Sequence, residues 1–315
     1  MNCYFCNENY LFIKRNSLRF GIKRNVFECR KCGLIFLEPR KDNVTFYRKK
    51  YRTKYGPILG KTLSSRELFE FNLPLQESRV QNLKKFLKPN AKVLDIGSSS
   101  GHFLYVIRNM VKECVGIELN IENAEFTEKE LGIKVYNQPI EKTDLEPNYF
   151  DLITIYHTFE HIDDPLNFLR FVNRYLKPNG RLFIEVPNTL DALMSVYKLK
   201  SFSDFWYIEP HLFFYTPKTL AMILKKAGFV GDIKTTQSFS FINHINWLLN
   251  GKPQANWKMG TESPRLVSGE SKPVERELNR WIKRVDEEYR TILNKHQVGG
   301  NIVFMGKKIK QDDSR

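Results

Sequence analysis

The stretch Val93–Leu104, VLDIGSSSGHFL, runs from an apolar segment through Asp95 and Ile96 into Gly97, crosses three serines to Gly101, and turns apolar again after His102. Two glycines four apart, with only small side chains between them, describe a tight turn. In such a turn a left-handed φ costs little and backbone N–H groups can come close to a ligand. A buried strand that ends in this turn and continues as a helix is the opening βα unit of an open parallel sheet. Ligands of such sheets bind beyond the carboxyl ends of the strands.

Outward from the turn the periodicity alternates. AKVLDIG (91–97), ECVGIELN (113–120), IKVYN (133–137), FDLITIYH (150–157) and RLFIEVPN (181–188) read as strands. GHFLYVIRNM (101–110), IENAEFTEKELG (121–132) and PLNFLRFVNRYLKPNG (165–180) read as the helices between them, and residues 64–90 as a helix leading in. This is the pattern of a doubly wound α/β domain. Glu118 closes the second strand, where a carboxylate can accept two hydrogen bonds from a ribose diol. A dinucleotide fingerprint G-x-G-x-x-G begun at Gly97 meets Ser99 and His102 at its other two glycine positions, which argues against a dinucleotide.

The same residues resemble the first motif, D-x-G-x-G-x-G, of the class I S-adenosylmethionine-dependent methyltransferases. Asp95, Gly97 and Gly101 match it, and Ser99 stands at the middle glycine. FDLITIYHTFEHIDDPLNFL (150–169), LKPNGRLFIEVPN (176–188), PHLFFYTPKTLAMILKKAGF (210–229) and GGNIVFMGKK (299–308) resemble later segments of that family, so the likeness covers roughly residues 75–230 and the closing strand. It implies a Rossmann-like seven-stranded methyltransferase domain and S-adenosylmethionine as cofactor. Asp95, Gly97, Ser98, Ser99 and Gly101 would hold the methionine part and sulfonium, Glu118 the ribose hydroxyls, and Leu119 with Pro139 and Ile140 the adenine. Tyr156 and His157 would face the sulfonium and the acceptor, with Glu160 and His161 orienting their loop. YIEPHLFFYT (207–216) resembles a segment of methyltransferases that carry an N-terminal zinc module and act on nucleotide-linked deoxysugars; there a Glu-His pair supplies the base. Here Pro210 separates Glu209 from His211. The catalytic candidates are therefore His211 with Glu209, His157 and Tyr156.

Four of the five cysteines, Cys3, Cys6, Cys29 and Cys32, form two C-x2-C pairs separated by 22 residues. A two-residue gap lets both thiolates of a pair reach one ion, and two such knuckles complete a tetrahedral zinc site with no position open to substrate. A structural Zn2+ in a small β-rich module is expected, with LFIKRN (11–16) and GLIFLEP (33–39) as its strands. Cys114 reads as a core residue.

The 315 residues carry a net charge of +15, and the first 60 hold 14 Lys and Arg against four acids. A basic segment suits an anionic partner. There is no apolar run of ~20 residues and no signal peptide, so a cytoplasmic protein without a membrane span is expected. The expected organisation is a zinc module (1–45), a basic arm (46–74), a methyltransferase core (75–241), an insertion acting as lid or interface helix (242–298), and the final strand and tail (299–315). Within the insertion, Leu278, Ile282, Val285, Tyr289 and Ile292 are expected to share one face of an amphipathic helix. The leading function is methyl transfer to oxygen or carbon of a sugar or nucleotide-sugar, for instance in surface polysaccharide synthesis. An RNA methyltransferase is the alternative, although N-P-P-Y and D-P-P-Y signatures are absent. A non-enzymatic zinc-ribbon adaptor is the third reading, opposed by Asp95, Glu118 and His157.

Overall fold

The computed structural model describes residues 1–38, 54 and 61–309; the first half of the expected basic arm, 46–53 and 55–60, falls outside these residues. The strands are β1 (Leu11–Ser17), β2 (Lys23–Cys29), β3 (Ile35–Leu37), β4 (Lys92–Ile96), β5 (Glu113–Ile117), β6 (Val135–Tyr136), β7 (Phe150–Tyr156), β8 (Leu176–Pro187), β9 (Phe213–Phe214), β10 (Phe229–Thr236) and β11 (Asn301–Lys308). They form a seven-stranded sheet of order β10-β11-β8-β7-β4-β5-β6 and a four-stranded sheet of order β1-β2-β3-β9. The fold is Rossmann-like α/β. The chain forms two compact units, one of residues 1–38, 186–220 and 233–303, the other of residues 39–185, 221–232 and 304–315.

In the second unit, β4 pairs in parallel with β5 on one side and β7 on the other, and β7 with β8. From β4 the chain steps outward through β5 and β6, then returns to β7 on the opposite flank, which makes the β4/β7 edge a topological switch point. Val93, Leu94, Ile96, Leu152, Ile153 and Ile155 are buried, as expected of central strands covered on both faces. The helix Ile121–Leu131 is started by the Asn120 side chain, which accepts from the Asn123 N–H, and ends at Gly132 in the left-handed region. The expected continuous helix over 64–90 is instead two, Ser65–Asn72 and Glu77–Leu83, joined by a 3-10 turn at Leu73–Gln76. Pro74 in that turn cannot donate a backbone hydrogen bond, so one α-helix cannot run through it. The helix expected over 165–180 stops at Tyr175, and β8 begins at Leu176.

In the first unit, the antiparallel β1–β2–β3 sheet takes β9 as its fourth strand through Ile35↔Phe214 and Phe36↔Phe213. A cluster of Leu193, Phe202 and Trp247 packs in the same unit, with Phe202 edge-on to Trp247 at 5.0 Å. Three helices, Phe241–Asn250, Trp257–Thr261 and Pro273–Lys295, occupy the segment after residue 240. The second was not expected from the sequence, nor was the first. Its start is fixed by Ser240, whose hydroxyl accepts from the Asn243 N–H. The expected apolar face of the last helix needs correction. Ile282 is buried, but Leu278 and Ile292 are 39% and 49% exposed, and the inward face carries Asn279, Asp286 and Leu293 instead. Asp286 is drawn inward because it accepts from the Phe241 N–H and from Arg290, and Asn279 because it accepts from the Leu266 and Val267 N–H groups. Among the described residues no helix is long and apolar enough to cross a membrane.

Candidate functional site

At the carboxyl ends of β4, β5 and β7 the second unit gathers Asp95, the 97–101 turn, Glu118, Tyr156 and His157. The turn is left-handed at Gly97 (φ 80°), Ser99 (52°) and Gly101 (73°). A Cβ on Gly97 would lie 2.0 Å from the Thr158 hydroxyl, and one on Gly101 2.6 Å from a Thr127 methyl, so both positions require glycine for space as well as for φ. Ser99 shows what the motif's middle glycine is for: it holds the same backbone conformation at a cost on the order of 1 kcal/mol.

Glu118 is locked to that turn. One carboxylate oxygen accepts from the Ser99 N–H at 2.8 Å and the other from the Asn120 N–H at 2.7 Å. A carboxylate has about four lone-pair sites, and here two of them take backbone N–H groups of the turn and of the following helix start. Asn137 donates to the Glu118 carbonyl at 2.7 Å and fixes the strand end behind it. In the same unit Leu119 and Pro139 are half-buried, while Ile140 is buried.

Asp95 is buried, with Thr154 on β7 donating to it at 2.7 Å. Burial raises its pKa to about 6, although the Thr154 hydroxyl and the Arg79 charge work against the rise. Ionised Asp95 therefore opposes folding. The penalty is absent below the unfolded value near 3.8 and complete once the pH has risen through about 6. Asp95→Asn should accordingly raise thermal stability at pH 8, by up to about 3 kcal/mol, and the gain should vanish toward pH 4. A melting temperature equal to or below that of the parent at pH 8 would contradict this. A buried carboxylate that weakens its own fold points to a role in binding.

Two buried oxygens at this edge, Ser98 Oγ and the Tyr156 hydroxyl, have no hydrogen-bond partner among the described residues. The Tyr156 ring lies against Phe183 (4.9 Å) and Phe103 (5.4 Å), with the Arg79 guanidinium 4.0 Å from its centre. Burial pushes its phenol well above the usual value, so it is a neutral donor rather than a base.

His157 follows β7 with φ 48°, a second strained non-glycine residue. Glu185 Oε1 is 3.3 Å from Nε2 and Glu160 Oε1 3.8 Å from Nδ1. Burial disfavours the charged ring, but the two carboxylates more than offset this, and the pKa is raised. Arg79, Thr154 and Glu185 were not singled out in the sequence. Glu185 could have been: it lies two residues before the end of β8, where an ionisable residue is unexpected in an otherwise apolar run.

The remaining candidates lie in the first unit. His211 is half-buried, its ring 6.4 Å from Trp206 and 6.1 Å from Phe214, and Glu209 is two residues before it. The four N-terminal cysteines come together with all sulfurs within 4.8 Å of one another; Cys3 and Cys32 are 3.5 Å apart, Cys6 and Cys29 3.6 Å. Tetrahedral zinc with Zn–S bonds of ~2.3 Å sets sulfurs about 3.8 Å apart, so the cluster fits that ion. Each knuckle is closed by a left-handed residue just past its second cysteine, Asn7 and Gly33. Cys114 is half-buried and contacts the Leu104 carbonyl, in keeping with a core role.

A family model described as a methyltransferase domain matches residues 69–232. Among curated proteins, a ubiquinone biosynthesis O-methyltransferase from Haemophilus ducreyi is 31% identical over 33% of this chain and 49% of its own length. Phosphoethanolamine N-methyltransferase 3 from Arabidopsis thaliana is 30% identical over 50% of this chain and 32% of its own. The chain thus spans about half or less of the curated relatives it matches. A solved SAM-dependent methyltransferase from Archaeoglobus fulgidus is similar in fold, with a TM-score of 0.50 at 23% identity over 76% of this chain and 99% of the other.

Proposed function

Since the chain belongs to the methyltransferase-domain family, we propose that it uses S-adenosylmethionine to methylate a hydroxyl of a small polar acceptor, a sugar or nucleotide-sugar before others. The observation that carries the cofactor part is the Glu118 carboxylate at the end of the second strand, fixed beside the turn by the Ser99 and Asn120 N–H groups; a carboxylate so placed can accept from a ribose diol. When bound, S-adenosylmethionine supplies an electrophilic methyl on a sulfonium. The left-handed turn from Gly97 to Gly101, with Ser98, admits its methionine part together with Asp95, which precedes the turn in β4 and is held by Thr154. Arg79, beside Tyr156, is the cation available to its carboxylate. Leu119, Pro139 and Ile140 line the side proposed for adenine. Ser98 Oγ and the Tyr156 hydroxyl supply unsatisfied polar atoms for the remainder.

His157 is the proposed base, oriented by Glu185, and takes the acceptor's proton as the methyl is transferred. His211 with Glu209 is the second candidate, on its sequence resemblance alone. Relatives named for O- and N-methylation of small molecules support a small acceptor and leave its identity open. The cysteine cluster would hold a structural Zn2+, and the basic first 60 residues would attract phosphates of the acceptor.

The acceptor class is tested by transfer of labelled methyl from S-adenosylmethionine to a panel of nucleoside-diphosphate sugars and to bulk RNA, each at about 50 and 200 mM salt. A sugar acceptor should be saturable with moderate salt dependence. Incorporation into RNA, with affinity falling roughly 10³-fold or more over that range as expected when six or more phosphates are neutralised and their counterions released, would replace the sugar reading.

A further inference from the structure

The helix Pro273–Lys295 has two working faces, and its own unit uses one of them. Asn279, Ile282, Asp286 and Leu293 turn inward, with Tyr289 edge-on to Phe241 at 5.1 Å. Beside that face runs a second stripe. Val274 is 55% exposed, Leu278 39% and Trp281 50%, and half-buried Val285 continues the line. The spacing is four, three, four: the seam of a helix that packs against another helix. The surroundings reinforce this. Of the large apolar side chains exposed among the described residues, Leu248, Leu249, Met259, Leu266 and Ile292 also belong to this segment. An exposed tryptophan flanked by Val and Leu at seam positions has apolar area that isolated surface residues do not share.

We propose that this stripe is the contact between two copies of the chain, packed antiparallel about a two-fold axis near Trp281. The charge pattern selects that occupant. Along the outer flank of the stripe lie Glu277 and Arg284, neither of which has an ion-pair partner among the described residues. In an antiparallel two-fold pair a flank meets itself reversed. With Trp281 at the axis, Glu277 of one copy comes beside Arg284 of the second copy, and the symmetry makes the pair twice. The same register sets Leu278 beside Val285 of the second copy. Glu288, at the next seam position beyond Val285, ends the apolar contact there, so the interface centres on residues 274–285. A parallel pair would set Glu277 and Arg284 each level with its own twin and leave the opposite charges out of register.

Sedimentation equilibrium of the full chain over about 1–100 μM should return twice the 37.2 kDa chain mass. Trp281→Glu and Leu278→Glu should each weaken the dimer at least ~10-fold, as expected for a central anchor. Both residues are exposed in the single chain, so circular dichroism and melting temperature at low concentration should not change. Glu277→Arg and Arg284→Glu should each weaken association, and the double exchange should restore it. A monomer at 100 μM, a dimer indifferent to Trp281→Glu and Leu278→Glu, or singles whose defects the double exchange fails to repair would overturn the proposal. So would a monomer that instead carries a different protein on this helix.

Discussion

Cys29→Ser should unfold the small sheet of β1, β2 and β3 if, as proposed, the cysteine cluster holds a structural Zn2+. Two of the four cysteines, Cys29 and Cys32, stand at the end of β2 and in the turn leading to β3, and the other two, Cys3 and Cys6, in the knuckle preceding β1. The module has few apolar residues of its own to take the place of an ion: besides the cysteines, Leu18, Val26, Leu34, Ile35, Phe36 and Leu37 are the buried apolar residues within the first 38. Structural zinc in small modules contributes on the order of 10–16 kcal/mol of apparent binding energy at neutral pH, most of which appears as folding. Elemental analysis should give about one zinc per chain for the parent and a large loss for Cys29→Ser. Limited proteolysis should then cut within residues 1–38 while cofactor affinity is largely kept. A metal-free parent that resists the same protease would remove the ion from the account.

His157→Ala should lower turnover about 10²–10⁴-fold with little effect on S-adenosylmethionine affinity, because a base acts on the acceptor and not on the cofactor. The pH dependence carries a sign. Glu185 and Glu160 raise the His157 pKa above 6.5, and only the neutral ring accepts a proton, so activity should climb as pH rises through that higher value. Glu185→Gln removes the larger favourable partner and should shift the climb to lower pH. For stability the direction is opposite: the charged ring's contribution is whole below the unfolded value near 6.5 and fades as pH rises through the folded one. Unchanged turnover in His157→Ala, together with loss in His211→Ala, would transfer the role to His211.

Much of this was legible in local spacing. Val93–Leu104 could be read as strand, turn and helix because each depends on neighbours in sequence: apolar continuity for β4, left-handed φ at Gly97 and Gly101, helix entry after Gly101. The cysteine pairs were legible for the same reason. What escaped needed tertiary context. No periodicity announces that Asp286 will turn inward, since that follows from the Phe241 N–H, far from it in sequence, and from Arg290 one helical turn on. The exposure of Leu278 and Ile292 follows from the same competition. Arg79 sits in an unremarkable stretch, QESRVQNL, and gains significance only where the fold sets it over Tyr156. Phe213–Phe214 is too short to be read as a strand, and it pairs because β3 presents an open edge.

The central claim is that Asp95, the Gly97–Gly101 turn and Glu118 bind S-adenosylmethionine. Calorimetric titration of the full chain tests it most directly. One equivalent should bind with a micromolar Kd, about −8 kcal/mol. Glu118→Ala should weaken this at least ~10-fold, because the diol loses its acceptor and the Ser99 and Asn120 N–H groups lose theirs. Tight binding of NADH with no heat from S-adenosylmethionine, or full affinity in Glu118→Ala, would contradict it.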